Sequence, residues 1–243
     1  MAAITTHAVT NIGHKRSRNE DRYLVREMGA DSILLAVADG MGGEAKGDVA
    51  AQTVIDALTE LASTGDVSES ILQEAVSTAN DALLRMVARE PELEGMGTTA
   101  TIVLVKGMMA HFIHVGDSRL YLFRDGTLTQ KTSDHAFLQT FLDDGSMTPE
   151  EVGKHPFRNL LDQCVGCPEC SPDSERFTVV PGDILLLTSD GLHKDLDDRQ
   201  IVQHLATDTP LDRRLETLVE SALALGGKDN ITAVAAEFTA ASS

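Results

Sequence analysis

Ser32-Ile33-Leu34-Leu35-Ala36-Val37-Ala38-Asp39-Gly40 is a short apolar run that stops on an aspartate followed by a small residue. It reads as a buried strand whose end carries a carboxylate. The arrangement recurs at His114-Val115-Gly116-Asp117-Ser118 and at Thr188-Ser189-Asp190-Gly191, and Asp229 stands just ahead of an apolar run from Ile231 to Phe238. A buried strand fixes its own end, so a carboxylate placed there is held rigidly at the lip of the core. Several such ends brought together form an all-oxygen pocket suited to Mg²⁺ or Mn²⁺. The small neighbours let backbone carbonyls and water approach an ion. A single Asp-Gly is ordinarily a turn, and spacing and composition by themselves reach only an acidic cation site.

Further strands are expected at Thr98 to Val105 and Asp183 to Thr188. Ala110 to Val115 and Arg119 to Arg124 flank Gly116-Asp117-Ser118, which suggests a hairpin. Three amphipathic helices stand out. One covers about Asp48 to Ala62, with Val54, Ala57, Leu58 and Leu61 on one face. The next follows Asp66, which has capping-box spacing to Glu69, and carries Leu72, Val76, Ala79, Leu83, Met86 and Val87. The third opens at Thr209 with Pro210 in the first helical position and stops at Gly226-Gly227. Strands come in bunches with helices between the bunches, so an α+β fold with largely antiparallel sheets is expected. Residues 135 to 174 are irregular and rich in Gly and Pro, and read as a surface insertion with one short helix, a flap on one domain spanning 1–243.

The chain has 243 residues, 42% of them hydrophobic, and a formal net charge of −18. That charge disfavours nucleic acid and anionic membranes as partners, since both need a positive surface. A phosphate-handling site this acidic would need metal ions to reverse the local field. There is no charged leader with an apolar core at the start and no apolar stretch approaching membrane-span length, so a soluble, cytoplasmic protein is expected; a monomer is the expected assembly. The three cysteines, Cys164, Cys167 and Cys170, lie in one short stretch. Their odd number argues against a disulfide framework. Reduced loop thiols, a redox pair, or a zinc site completed by His155 or His193 remain open.

The local sequences around the aspartates resemble the protein phosphatase 2C family of metal-dependent serine/threonine phosphatases, in its compact bacterial form. The matching segments stand in the family's order: Arg16-Ser17-Arg18-Asn19-Glu20-Asp21, Val37-Ala38-Asp39-Gly40-Met41-Gly42-Gly43, Gly97-Thr98-Thr99, Gly116-Asp117-Ser118-Arg119, Asp134-His135, Ser189-Asp190-Gly191-Leu192 and Asp229-Asn230-Ile231-Thr232. The resemblance implies a four-layer α-β-β-α sandwich, two antiparallel sheets flanked by helices, with metals at one end between the sheets.

It further implies two or three Mn²⁺ or Mg²⁺ ions and hydrolysis of phosphoserine and phosphothreonine by metal-activated water. Asp39 would bridge two ions. The Gly40 carbonyl and, through water, Glu20 would serve one of them; Asp190 and Asp229 would serve the other. Asp117 with Asp190 would hold a third ion of weaker affinity. Arg16 would grip the substrate phosphate, a task suited to its planar fork. Asn19, Asp21 and Asn230 would orient the ligands by hydrogen bonds, whereas Thr98 and Thr99 read as strand packing.

Two departures from the family pattern are visible. Glu44 stands where many bacterial relatives have a histidine after Met-Gly-Gly, which leaves the general acid open, with His135 and His193 nearest the matched motifs. Cys164-Val165-Gly166 stands where Ala-Leu-Gly is usual. The expected partners are a phosphoprotein and a cognate serine/threonine kinase. The rival readings are a catalytically inactive phosphoprotein-binding relative and a two-metal phosphodiesterase.

Overall fold

Residues 32–38 form β3 (Ser32–Ala38), and its side chains divide by parity between two cores. Ile33, Leu35 and Val37 face one, and Leu34, Ala36 and Ala38 face the other. Successive strand side chains point to opposite faces, so a strand covered on both sides must be apolar throughout. The computed structural model describes residues 2–29, 31–42, 46–65 and 67–240. The position of Glu44 and the proposed cap at Asp66 lie outside the described residues.

Two five-stranded antiparallel sheets stack face to face. The first has the order β1 (Ala2–Asn11), β12 (Ile231–Ala240), β11 (Ile184–Thr188), β8 (Arg119–Arg124), β9 (Thr127–Gln130). The second has the order β10 (Asp173–Thr178), β7 (Met109–Val115), β6 (Ala100–Lys106), β3, β2 (Arg22–Gly29). A short pair, β4 (Gly40–Met41) and β5 (Gly97–Thr98), lies beside the end of β3. Between the sheets pack Leu35, Val37, Val103, Leu185, Leu187, Val234 and Phe238.

Helices close the outer faces. α1 (Gly47–Thr64) and α2 (Glu69–Arg89) bury Val54, Leu58, Leu72, Val76 and Leu83 against Leu34, Ile102 and Ile113 of the second sheet. α5 (Asp190–His193), α6 (Asp198–Leu205) and α7 (Leu211–Leu225) bury Leu192, Ile201, Leu215 and Leu218 against Leu186 and Ala233 of the first. The layers therefore run α-β-β-α, as the family resemblance implied. Truncating any one of the large aliphatics in these three cores to Ala would cost about 2–5 kcal/mol. Among the described residues no helix is long and apolar enough to cross a membrane.

The structure corrects several local expectations. β7 and β8 are not a hairpin. β7 pairs with β6 and β10, β8 with β11 and β9, and Gly116-Asp117-Ser118 carries the chain from one sheet to the other. Gly116, at φ 107°, makes the turn, and an added β-carbon there would lie 2.5 Å from the Thr99 side chain. The insertion holds two short helices rather than one, α3 (Gln139–Asp143) and α4 (Pro149–Lys154), and its last residues already belong to β10. α4 has a full capping box between Thr148 and Glu151. α2 is capped by Ser68, which accepts from the Ile71 amide. Pro210 is the cap residue of α7 rather than its first helical residue.

The flap is anchored at its base. Ala136 bridges Leu161, and the Asp162 amide donates to the His135 carbonyl at 3.1 Å. Thr98 and Val165 exchange two backbone hydrogen bonds of 2.9 Å.

Candidate active site

The aspartates meet because the antiparallel strands present matching ends. β3 ends at Ala38, next to the start of β6, and β7 ends at Val115, opposite Ala100 of β6. In the other sheet β11 ends at Thr188, opposite Ala233 near the start of β12. Asp39, Asp117, Asp190 and Asp229 therefore emerge at one end of the sandwich. They line a cavity of about 200 Å³ together with Arg16, Glu20, Gly40 and Asn230. Met41, Gly42 and Thr99, and Asn159 and Leu161 from the flap, complete its wall.

The backbone beneath the carboxylates is tied down by side chains. Thr98 Oγ1 donates to the Asp39 carbonyl at 2.9 Å, and the Asp39 amide donates to Thr99 Oγ1 at 2.9 Å. Thr99 Oγ1 also meets Ser118 Oγ at 2.8 Å, beside Asp117. These threonines do more than the strand packing expected of them, since they set the Asp39 loop. Asn230 is a hub: its Oδ1 accepts from the Glu20 amide, and its Nδ2 donates to the carbonyls of Ile12 and Arg18. It pins the 12–20 loop to the start of β12. Asn19 donates to Thr10 Oγ1 and accepts from the Asp21 amide. Glu20 Oε1 accepts from the Gly47 amide at the start of α1, 3.2 Å away.

Asp21 sits beneath the cavity, where Ser189 and Thr232 donate to its Oδ2 at 2.8 and 2.6 Å while its Oδ1 is buried without a partner. Burial pushes its pKa up to about 7 against those two hydrogen bonds. Burial also drives Asp39 well above the usual carboxylate range, with Asp21, Asp190, Asp117 and Asp229 adding to the shift. Asp117 is pushed up to about 6 by burial and then by Asp190, despite Lys194. So much negative charge in one buried place is stable only with cations nearby.

Two side chains supply some of that positive charge. Arg16 Nη2 donates to Asp229 Oδ2 at 2.6 Å. Lys194 Nζ donates to Asp117 Oδ2 at 3.2 Å and to Asp190 Oδ2. Burial opposes the Lys194 charge, yet Asp190 and Asp117 hold its pKa above the usual lysine value. Among the described residues no three His, Cys, Asp or Glu side chains stand as a ready-made ligand group, and the two cationic side chains occupy oxygens that a metal would use. The donor set nevertheless fits hard divalent cations: carboxylate and carbonyl oxygens, crowded and short of positive charge.

Neither histidine nearest the motifs reaches the cavity. His135 is buried; its Nδ1 accepts from the Gly116 amide at 3.3 Å and its Nε2 meets Asp173 at 3.1 Å. His193 donates from Nε2 to the Asp117 carbonyl at 3.0 Å, and burial, with Arg119 and Lys194, holds it neutral. Both position backbone. Asp134 is likewise structural, gripping Arg119 with both oxygens.

The cysteine expectation changes. Cys164 and Cys167 are joined as a disulfide, and Cys170 is free and partly buried. A zinc site on three thiolates is incompatible with that bond, which removes two of the ligands. The motif lies against the site: a β-carbon at Gly97, the partner of Met41, would be 2.8 Å from Cys164 Sγ.

Comparison with known proteins gives a consistent picture. Residues 11–226 match the model of the family described as protein phosphatase 2C. The chain is 44% identical to the serine/threonine protein phosphatase PstP of Mycobacterium tuberculosis over 89% of its own length, and spans 43% of that relative. It is 34% identical to the protein phosphatase PhpP of Streptococcus pneumoniae, covering 92% of this chain and 93% of PhpP. The crystal structure of the PstP catalytic domain in complex with two manganese ions superposes with a TM-score of 0.87 at 38% identity, covering 99% of this chain and 100% of that one.

Proposed function

The chain belongs to the protein phosphatase 2C family, and from that membership we propose that it is a metal-dependent phosphatase of phosphoserine and phosphothreonine in proteins. The observation that carries the reading is the convergence of Asp39, Asp117, Asp190 and Asp229 with Arg16 on one cavity. Asp39, Glu20, the Gly40 carbonyl, Asp190 and Asp229 would hold two Mn²⁺ or Mg²⁺ ions, and Asp117 with Asp190 a third. When bound, such ions supply Lewis acidity and an activated water for in-line attack on phosphorus.

The chain's own residues do the rest. Arg16 leaves Asp229 to bind the substrate phosphate with its fork. Thr98 and Thr99 keep Asp39 from rotating, and Asn230 holds the Glu20 loop. Asn159 and Leu161 bring the flap over the phosphate. Among the described residues no histidine lines the cavity, so neither His135 nor His193 stands where it could protonate the leaving serine or threonine oxygen. We place the enzyme in the cytoplasm, as a monomer with one catalytic unit, opposing a serine/threonine kinase.

The inactive phosphoprotein-binding alternative is disfavoured because the ligand set and Arg16 are all present and converge. The phosphodiesterase alternative is disfavoured by the net charge of −18. Both are tested with a phosphothreonine peptide, an aryl phosphate and a bis-aryl phosphate in Mn²⁺. Hydrolysis of the first two but not the third is expected, with loss of at least about a hundredfold in kcat on Asp190→Asn, the scale of removing one transition-state contact. A rate that survives chelation or the Asp190→Asn change refutes the metal mechanism.

A further inference from the structure

Lys194 is one helical turn beyond Asp190 and on the same face, where i and i+4 side chains meet. Its ammonium donates to Asp190 and, at 3.2 Å, to Asp117 Oδ2. It thus spans the two carboxylates that the proposed function assigns to the third ion. The neighbouring residue reaches the same place from the other side: His193 Nε2 donates to the Asp117 carbonyl at 3.0 Å. Consecutive residues of one short turn therefore fasten both the backbone and the side chain of Asp117 to α5. Asp117 is nearly buried and its carboxylate has no other cationic partner among the described residues.

We propose that the Lys194 ammonium is a tethered cation that competes with a divalent ion for the position between Asp117 and Asp190. The inference rests on the metal-phosphatase reading and adds to it a property of this chain. A side chain fixed one turn away acts at an effective concentration in at least the millimolar range. A divalent ion entering between the carboxylates must displace it, so its apparent affinity is reduced by the fraction of time the position is free. With the lysine in place nine-tenths of the time, that reduction is about tenfold. Asp190 also serves one of the other two ions, but Lys194 takes only its Oδ2, and among the described residues no lysine is ion-paired with Asp39, Glu20 or Asp229. The competition therefore falls chiefly on the third ion, which alone depends on Asp117, and the chain would work with two ions across metal concentrations at which an unhindered site would take up three.

The test is equilibrium binding of Mn²⁺ to the chelator-stripped chain of 243 residues, followed by titration calorimetry and equilibrium dialysis. Lys194→Met keeps the length of the stem and removes the charge; Lys194→Gln serves as a second variant should the first fold poorly. Wild type is expected to bind two ions tightly and a third weakly. In either variant the third ion should bind about tenfold more tightly, with the first two changed far less, and adding Asp117→Asn should abolish the gain. A third-ion affinity that is unchanged or weaker in both folded variants, with the tight pair intact, overturns the Lys194 proposal alone. Absence of a tight pair in wild type overturns the metal-phosphatase reading and this proposal with it.

Discussion

Gly40 and Gly47 stand backbone to backbone: a β-carbon on Gly40 would lie 2.2 Å from the Gly47 carbonyl oxygen, and one on Gly47 would lie 2.6 Å from the Gly40 carbonyl carbon. The contact brings the first turn of α1 against the peptide that offers the Gly40 carbonyl to the cavity. Only a residue without a side chain permits it, and neither glycine is there for a left-handed φ.

Gly47→Ala is expected to leave α1 intact while pushing the Gly40 loop outward. Overpacking of this kind costs about 1–3 kcal/mol, and a displacement near 1 Å at the reacting centre costs on the order of a hundredfold in rate. Circular dichroism should therefore be close to wild type while kcat/KM on an aryl phosphate falls by about ten- to a hundredfold. A variant within twofold of wild type would show that the close approach is dispensable.

His114 gives a pH dependence that does not involve the aspartates of the cavity. It is fully buried, with Nδ1 on Thr101 Oγ1 at 2.9 Å and Nε2 on the Ser133 carbonyl at 3.0 Å. Burial, reinforced by His135, lowers its pKa to about 4. The folded chain refuses a proton that the unfolded chain takes up near pH 6.5. Stability from this group is thus complete above about pH 6.5 and drains away as pH falls towards 4, by up to roughly 3 kcal/mol at about 1.4 kcal/mol per pKa unit. Urea midpoints at pH 7, 5.5 and 4.5 should fall more steeply in wild type than in His114→Gln. Parallel slopes for the two proteins would remove His114 as the cause.

The Cys164–Cys167 bond closes a loop too short to add much global stability by chain entropy. Its effect should be local, because Val165 between the two cysteines exchanges both backbone hydrogen bonds with Thr98, which in turn holds Asp39. Reduction with dithiothreitol is expected to speed amide exchange at Thr98 and Val165 and to change the turnover rate. Peroxide should reverse both effects, and a Cys164→Ser chain should respond to neither reagent. Identical exchange and turnover in the oxidised and reduced wild type would dismiss the redox role.

Legibility followed burial. β3, β11 and β12 were readable because both of their faces are largely covered, which makes them mainly apolar runs, the first two ending beside Asp39 and Asp190 and the third starting beside Asp229. β2 is only half-buried, and β1 alternates weakly, so neither showed a pattern. The false hairpin at Gly116-Asp117-Ser118 had a tight turn between two strands; which sheet each strand joins is decided by partners far away in the sequence. The ligand aspartates were legible through their motifs. The side chains that hold them were not: Thr98 and Thr99 look like strand formers, and Lys194 like a surface residue. Their roles depend on distances across the fold.

The crossing of Gly116-Asp117-Ser118 between layers has a mechanical side. Asp39 hangs from a strand of one sheet, Asp190 and Asp229 from strands of the other, and Asp117 lies in the segment that joins the two. A slip of one sheet over its neighbour would therefore change the spacing of the cluster. Side chains such as Phe238 and Leu35, buried between the sheets, set that spacing. Trimming either of them would detune catalysis by altering spacing, without touching a single residue of the cavity.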